Sequence, residues 1–95
     1  MPSKMAYKAY AERDIWEIAD YLSEHSVSAA EEFLCEIKRK IESLAEMPLM
    51  CPKIASNQEY RKLVVGKYVV AYIANEQAKE VLIMRIVHGK RNYRL

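Results

Sequence analysis

The spacing of hydrophobic residues changes once along the chain, and this change limits the folds that the sequence can adopt. Between Ala11 and His25, and again between Ser28 and Pro48, apolar residues recur every three or four positions. This period predicts two amphipathic helices. From Tyr60 onward, Val, Ile, Leu and Tyr occur in runs of strand length. Two helices followed by a run of strands indicate an α+β fold.

The second helix has the clearer sequence signals. Ser28 followed three residues later by Glu31 is a capping box, and Pro48 marks the predicted end. The short link between the helices predicts an antiparallel hairpin. The predicted buried stripe of the second helix consists of Ala30, Phe33, Leu34, Ile37, Ile41, Leu44 and Ala45.

Strands are predicted on both sides of this hairpin. A short edge strand is expected within Ser3–Lys8, a loop over residues 48–59, and three strands near 60–65, 68–74 and 80–88. Gly66 suits the first central position of a type II′ turn that pairs Val65 with Tyr68. The predicted architecture is therefore β-α-α-β-β-β, with the helices on one face of a mostly antiparallel four-stranded sheet.

Simple alternation along the last strand assigns its side chains to two faces. Leu82, Met84 and Ile86 form an apolar set that should meet the helices, which leaves Arg85 hydrated on the open face. Tyr68 and Tyr72 alternate in the preceding strand and are assigned to that open face if the register allows it. Trp16 is expected to flank the buried stripe of the first helix, where packing against loops and contact with a partner are both open.

Charge is distributed unevenly along the 95 residues. Residues 1–59 carry seven basic and eleven acidic side chains, whereas residues 60–95 carry eight basic and two acidic ones, for net charges of −4 and +6. A basic segment of this kind faces a polyanion or an acidic protein segment. The length fits a single domain over residues 1–95, whose marginal core favours a protein partner or a homodimer.

Several classes of protein are disfavoured. The sequence lacks a secretory signal pattern and an apolar run of about 20 residues, which favours a cytoplasmic protein that does not enter the membrane. Cys35 and Cys51, with His25 and His88 the only histidines, lack the spacing of a metal site, so neither a metal nor a cofactor is expected. Phosphate-binding and hydrolase motifs are missing as well.

The densest polar cluster follows the last predicted strand and contains His88, Lys90, Arg91 and Tyr93. An arginine can stabilise the charge of a phosphoryl transition state while a histidine or tyrosine moves protons, so this set could assist RNA cleavage. The same residues could equally hold a phosphate backbone or an acidic peptide, or form a solvated tail.

The order of these motifs resembles the RelE/ParE superfamily of type II toxins. The similarity covers nearly the whole chain: Ala11-Glu12-Arg13-Asp14-Ile15 opening the first helix, the hairpin from Tyr60-Arg61-Lys62-Leu63 to Tyr72, and the ending His88-Gly89-Lys90-Arg91-Asn92-Tyr93. The resemblance implies the fold predicted above and a cognate antitoxin that wraps the toxin. RelE-like members cleave mRNA in the ribosome without a metal, whereas ParE-like members inhibit DNA gyrase.

One departure helps to separate the two branches. RelE-like sequences have an arginine after the residue matching Tyr68, and this chain has Val69. This favours a ParE-like gyrase inhibitor without enzymatic activity, with a ribosome-dependent endoribonuclease or a non-toxic binding module as alternatives. In the nuclease alternative Arg91, His88 and Tyr93 would be catalytic. Contacts to the target or to an acidic amphipathic antitoxin segment are expected from Arg61, Lys62, Arg85, Lys90, Arg91, Tyr68, Tyr72 and Trp16.

Overall fold

A computed structural model describes residues 2–90 of the chain. The elements are β1 (Lys4–Tyr7), α1 (Ala9–Ser23), α2 (Val27–Ser43), β2 (Lys53–Ile54), β3 (Asn57–Val65), β4 (Tyr68–Asn75) and β5 (Glu80–His88). The predicted α+β order is confirmed, and a fifth strand, β2, lies within the segment predicted as a loop. Neither helix has the length and apolar character needed to cross a membrane, as far as residues 2–90 are concerned.

The sheet places the last strand between the first and the fourth. Its order is β1-β5-β4-β3-β2, with β1 parallel to β5 and the other neighbours antiparallel. β1 is therefore an edge strand, as predicted. Its pairing covers only the first half of β5, because Tyr7 pairs with Ile83 and the chain then turns into α1.

The second helix begins two residues earlier than its capping box predicted. Ser26 is the N-cap: its backbone is extended and its hydroxyl oxygen accepts a hydrogen bond from the Ala29 amide at 3.2 Å. Ser28 therefore lies in the first turn, and the prediction that it caps the helix was wrong. Both serines have the preferred cap chemistry, and sequence alone did not show which one leaves the helical conformation.

The helical hairpin packs on one face of the sheet and closes a single core. Ile37 and Ile41 of α2 and its C-cap residue Leu44 are almost fully buried, as the predicted stripe requires, although the helix ends at Ser43 and not near Pro48. Their partners on the sheet belong to the core cluster too: Leu63, Val65, Val70, Tyr72, Val81, Ile83 and Ile86. Burying a side chain of this size contributes about 1.5–3 kcal/mol to the free energy of folding.

A β-bulge in β5 changes which side chains face this core. Tyr72 pairs with Ile83 and Ala71 with Arg85, so Met84 is the extra residue of β5. Strict alternation is broken there, and Val81 and Ile83 join Ile86 on the helical face. The prediction that Leu82 and Met84 meet the helices was wrong, because it assumed an unbroken period of two.

The hairpin between β3 and β4 forms as predicted. Val65 pairs directly with Tyr68 across Gly66-Lys67. Gly66 has φ +58° and Lys67 is not among the residues with positive φ, the combination that a type II′ turn requires. This turn fixes the register of β4, and with it the faces on which Tyr68, Val69 and Tyr72 lie.

Candidate functional site

Val69, the residue expected to separate ParE-like from RelE-like sequences, lies in a row of valines. Val69 of β4 pairs with Val64 of β3 on one side and with Val87 of β5 on the other. These three side chains share the face of the sheet opposite the helices, because paired residues project to the same side. Hydrocarbon therefore occupies the place where a RelE-like arginine would stand.

The neighbouring row carries the cations of this face. Lys62 pairs with Ala71, and Ala71 pairs with Arg85. Lys62 is half-buried, whereas Ala71 is fully buried. Of the predicted contact residues, Lys62 and Arg85 thus lie in one row, on either side of Ala71.

Arg85 was predicted to be simply hydrated on the open face, and the structure instead pairs it with an aspartate of α1. Its Nε and Nη2 donate to the Asp14 carboxylate at 2.8 and 3.2 Å, and its guanidinium lies 5.7 Å from the centre of the Tyr10 ring. The Asp14 side chain is only 11% exposed, against 43% for Arg85. The hydrogen bond to Asp14 raises the pKa of Arg85, so the cation is fixed in place and fully charged.

Asp14 also stabilises the backbone beyond the end of β1. Its Oδ2 accepts a hydrogen bond from the Ile86 amide at 3.0 Å. Half of β5 has no strand beside it there, and the carboxylate takes the place of a missing backbone acceptor. The sequence predictions missed this residue as a contact, although its spacing of four residues from Ile18 and eight from Leu22 put it in line with the buried side of the helix.

Arg61 and Tyr72 lie on the helical side of the sheet, at its β2 edge. Arg61 Nη1 donates to the Cys51 carbonyl at 2.7 Å, and the Tyr72 hydroxyl donates to the Pro48 carbonyl at 2.9 Å. Burial, followed by the nearby Cys51 thiol, raises the pKa of Tyr72. Tyr72 is fully buried, so the prediction that it contacts a partner from the open face was wrong.

Tyr68 and His88 form an aromatic cluster beneath the helices. The Tyr68 ring meets the edges of Phe33 and His88 at centroid distances of 5.1 and 5.5 Å. Burial raises the pKa of Tyr68, and nearby Tyr21 raises it further. The open-face prediction for Tyr68 was therefore also wrong: Tyr68 pairs with Val65 and with His88 and packs against Phe33 on the helical side.

The remaining residues that were predicted to contact a partner or to be catalytic do not form one cluster within the described part of the chain. Trp16 is 61% exposed, in agreement with its predicted place beside the buried stripe. Lys90 is exposed, and its amide donates to His88 Nδ1 at 3.2 Å. Arg91 and Tyr93 lie outside the described residues, so their predicted roles stay predictions.

A groove runs between the helices and the β3–β4 turn, past the open half of β5. Its volume is about 990 Å³. Its floor is partly apolar, with Ile18, Leu22, Phe33 and Tyr68, and the sheet contributes Lys67, Arg85 and His88. The helices contribute four carboxylates, namely Asp14, Glu17, Glu32 and Glu36. Within residues 2–90, no cluster of side chains has the composition of a metal site.

This arrangement limits the chemistry available to His88. A ribonuclease needs cations that hold the scissile phosphate near its acid and base. Within the described part of the chain, His88 instead lines a groove with carboxylates, and Arg61 and Arg85 are already bonded inside the molecule. The groove is better suited to a protein segment than to a polyanion.

Comparison with known proteins gives a consistent result. The family model for the ParE toxin of the type II toxin-antitoxin system parDE matches residues 6–93. No curated protein matches the sequence.

Solved structures show the same fold at low sequence identity. One is a chromosomal ParDE toxin-antitoxin system from P. aeruginosa, with 17% identity and a TM-score of 0.76 over 90% of this chain and 95% of that one. The toxin-antitoxin complex RelBE2 from Mycobacterium tuberculosis has 20% identity and a TM-score of 0.62, with 93% and 99% covered. The isolated E. coli RelE toxin has 13% identity and a TM-score of 0.65, with 95% and 87% covered.

Proposed function

Because the chain belongs to the ParE toxin family of type II toxin-antitoxin systems, we propose that it inhibits DNA gyrase and is neutralised by a cognate antitoxin. Both partners would meet it in the cytoplasm. The toxin acts in this proposal by binding and has no enzymatic activity of its own.

The valine row is the observation that carries the choice of target. Val64, Val69 and Val87 form a row of hydrocarbon at the position where the resemblance implies an arginine in an mRNA-cleaving toxin. Strands β3 to β5 contain two described arginines, but neither replaces the cation that is missing at Val69. Each is hydrogen-bonded within the molecule, Arg61 to Cys51 and Arg85 to Asp14. These contacts support a protein target over a nucleic-acid substrate.

A supercoiling assay with purified gyrase tests the proposal. Stoichiometric toxin should inhibit the supercoiling of relaxed plasmid, and equimolar antitoxin should restore it. An Arg91→Ala variant should inhibit less if the arginine after the last strand contacts the target. Unimpaired supercoiling with toxin that arrests growth in cells would reject the gyrase assignment.

Two other outcomes have signatures of their own. New mRNA 5′ ends within codons after induction would favour the ribosome-dependent endoribonuclease, in which His88, Arg91 and Tyr93 act. Harmless expression of stable, folded protein would favour a binding module without toxicity. Primer extension and growth curves on the same induced culture distinguish these cases from gyrase inhibition.

We further propose that Lys62 and Lys90 bind an acidic part of the antitoxin. In residues 2–90, neither lysine forms an ion pair with a described carboxylate. A Lys62→Ala/Lys90→Ala variant should bind the antitoxin about tenfold more weakly at low salt, with a smaller difference at high salt. A Lys8→Ala/Lys79→Ala variant has the same net charge and should bind like wild type, and equal losses in both would contradict a local contact.

A further inference from the structure

The groove beside β5 combines an apolar floor with two carboxylates of α2, Glu32 and Glu36, that form no ion pair within residues 2–90. α1 contributes Asp14, Glu17, Ile18, Tyr21 and Leu22, a spacing that places these side chains on one side of the helix. This face is about 12 Å long at 1.5 Å per residue. A groove of this length and a volume of about 990 Å³ accommodates several side chains of an extended or helical segment.

The α2 wall carries a like-charged pair. Glu32 and Glu36 are four residues apart, so their carboxylates are neighbours on the helix surface and disfavour each other. Ala29 and Phe33 complete the same wall. No lysine or arginine within residues 2–90 forms an ion pair with either glutamate. A cation from outside would relieve their repulsion.

An exposed aromatic residue stands at the opposite wall. Tyr21 is 61% exposed, and its ring meets His25 edge-on at 5.4 Å. Burial raises the pKa of Tyr68, and the nearby Tyr21 raises it further, so the two side chains are neighbours in the groove. An apolar side chain entering between Tyr21 and the floor would bury this ring.

We propose that the groove binds a segment of the cognate antitoxin in which an apolar side chain is flanked by lysine or arginine. The apolar side chain would lie between Tyr21 and Phe33, and the flanking cations would bind Glu32 and Glu36. The inference rests on the proposed function for the existence of an antitoxin, but not on gyrase as the target. It requires the opposite charge from the acidic segment proposed for Lys62 and Lys90.

The position of the groove favours the antitoxin as its occupant. His88 lines the groove, and the Lys90 amide is hydrogen-bonded to the His88 ring. A chain that covers Lys90 with acidic residues can continue directly into the groove, where it meets carboxylates. One continuous segment that neutralises this surface must therefore change sign along its length.

Charge reversal on the toxin tests the proposal, with antitoxin from the neighbouring reading frame as the probe. The Glu32→Lys/Glu36→Lys variant should raise the Kd of the complex by at least about tenfold. A Glu24→Lys/Glu31→Lys variant changes the net charge equally at exposed sites outside the groove, and it should bind like wild type. Replacing the antitoxin's flanking cations by glutamate should restore binding to the first variant only.

The apolar contact has its own variant pair. Tyr21→Ala should weaken the complex by roughly tenfold or more, as is common for a tyrosine buried in an interface. Met47→Ala alters a side chain of similar exposure, 60%, outside the groove and should have no effect. Circular dichroism and thermal melts confirm that each variant is folded before affinities are compared.

Three results would overturn the inference. One is unchanged affinity of the Glu32→Lys/Glu36→Lys variant, another is an equal loss in both charge-reversal variants, and the third is failure of that antitoxin to bind the wild-type toxin. The supercoiling assay reports separately on the target. Normal supercoiling would reject gyrase inhibition without affecting the groove, and unchanged affinity would reject the groove without affecting gyrase.

Discussion

Replacing Asp14 by alanine should destabilise the protein more than any other change of a surface-accessible carboxylate among the described residues. Its carboxylate accepts two hydrogen bonds from Arg85, at 2.8 and 3.2 Å, and one from the Ile86 amide at 3.0 Å. The Asp14 side chain is 11% exposed, so water replaces these bonds poorly.

The magnitude follows from two contributions. An amide left without an acceptor costs about 1–3 kcal/mol. The ion pair contributes about 1 kcal/mol after allowance for solvent screening, because the Arg85 side chain is 43% exposed. The Asp14→Ala variant should therefore lose about 3 kcal/mol of unfolding free energy, with a fall in Tm of roughly 12–24 °C.

Urea unfolding followed by circular dichroism measures this loss. Asp14→Asn keeps an oxygen that can accept the Ile86 amide, and it should lose only about 1 kcal/mol. Glu17→Ala, which removes an exposed ion pair with Arg13 on the same helix, should lose at most about 0.5 kcal/mol. An Asp14→Ala variant as stable as the Glu17→Ala variant would refute the structural role of this carboxylate.

Three further predictions concern the turn, a buried tyrosine and the thiols. Gly66→Ala should lose about 1 kcal/mol in urea unfolding because φ is +58° there, whereas Gly66→Asn should lose less; equal losses would contradict a conformational cause. Burial raises the pKa of Tyr72 above its ordinary 10.0, so the stability from its protonated phenol is present below about pH 10 and falls as the pH rises further. Tyr72→Phe should cost about 1 kcal/mol near neutral pH by losing the bond to Pro48, yet show a shallower alkaline decline in unfolding free energy; parallel pH profiles would contradict this assignment. A thiol reagent should modify exposed Cys35 rapidly and buried Cys51 only on unfolding; equally rapid modification of both would contradict the burial of Cys51.

The overall fold could be predicted from sequence because the signals for its helices and its turn lie within short segments. Apolar spacing located both helices, and Gly66 fixed the turn that pairs Val65 with Tyr68. β2 escaped prediction because two residues, Lys53 and Ile54, are too short a run for alternation to be visible.

The assignment of side chains to the two faces of the sheet could not be predicted from local signals. The bulge at Met84 is a property of the pairing between β4 and β5, which the period of either strand alone does not show. The pairing of Arg85 with Ala71 places Tyr68 and Tyr72 on the other face from Arg85, which alternation within each strand does not show. Val69 needed no knowledge of register, because the argument depended on the identity of the residue alone.

The central place of β5 also governs when the protein can fold during its synthesis. β5 is the last described strand to be made, yet it lies between β1 and β4 and forms the surface on which α1 packs. A ribosome-bound chain that stops before Glu80 exposes the apolar face of α1 and leaves β1 without a neighbour. Protease digestion of stalled nascent chains should therefore show protection only after residues 80–88 have left the exit tunnel. Under this expectation, no part of the sheet beside α1 is in place before the last described strand has been made.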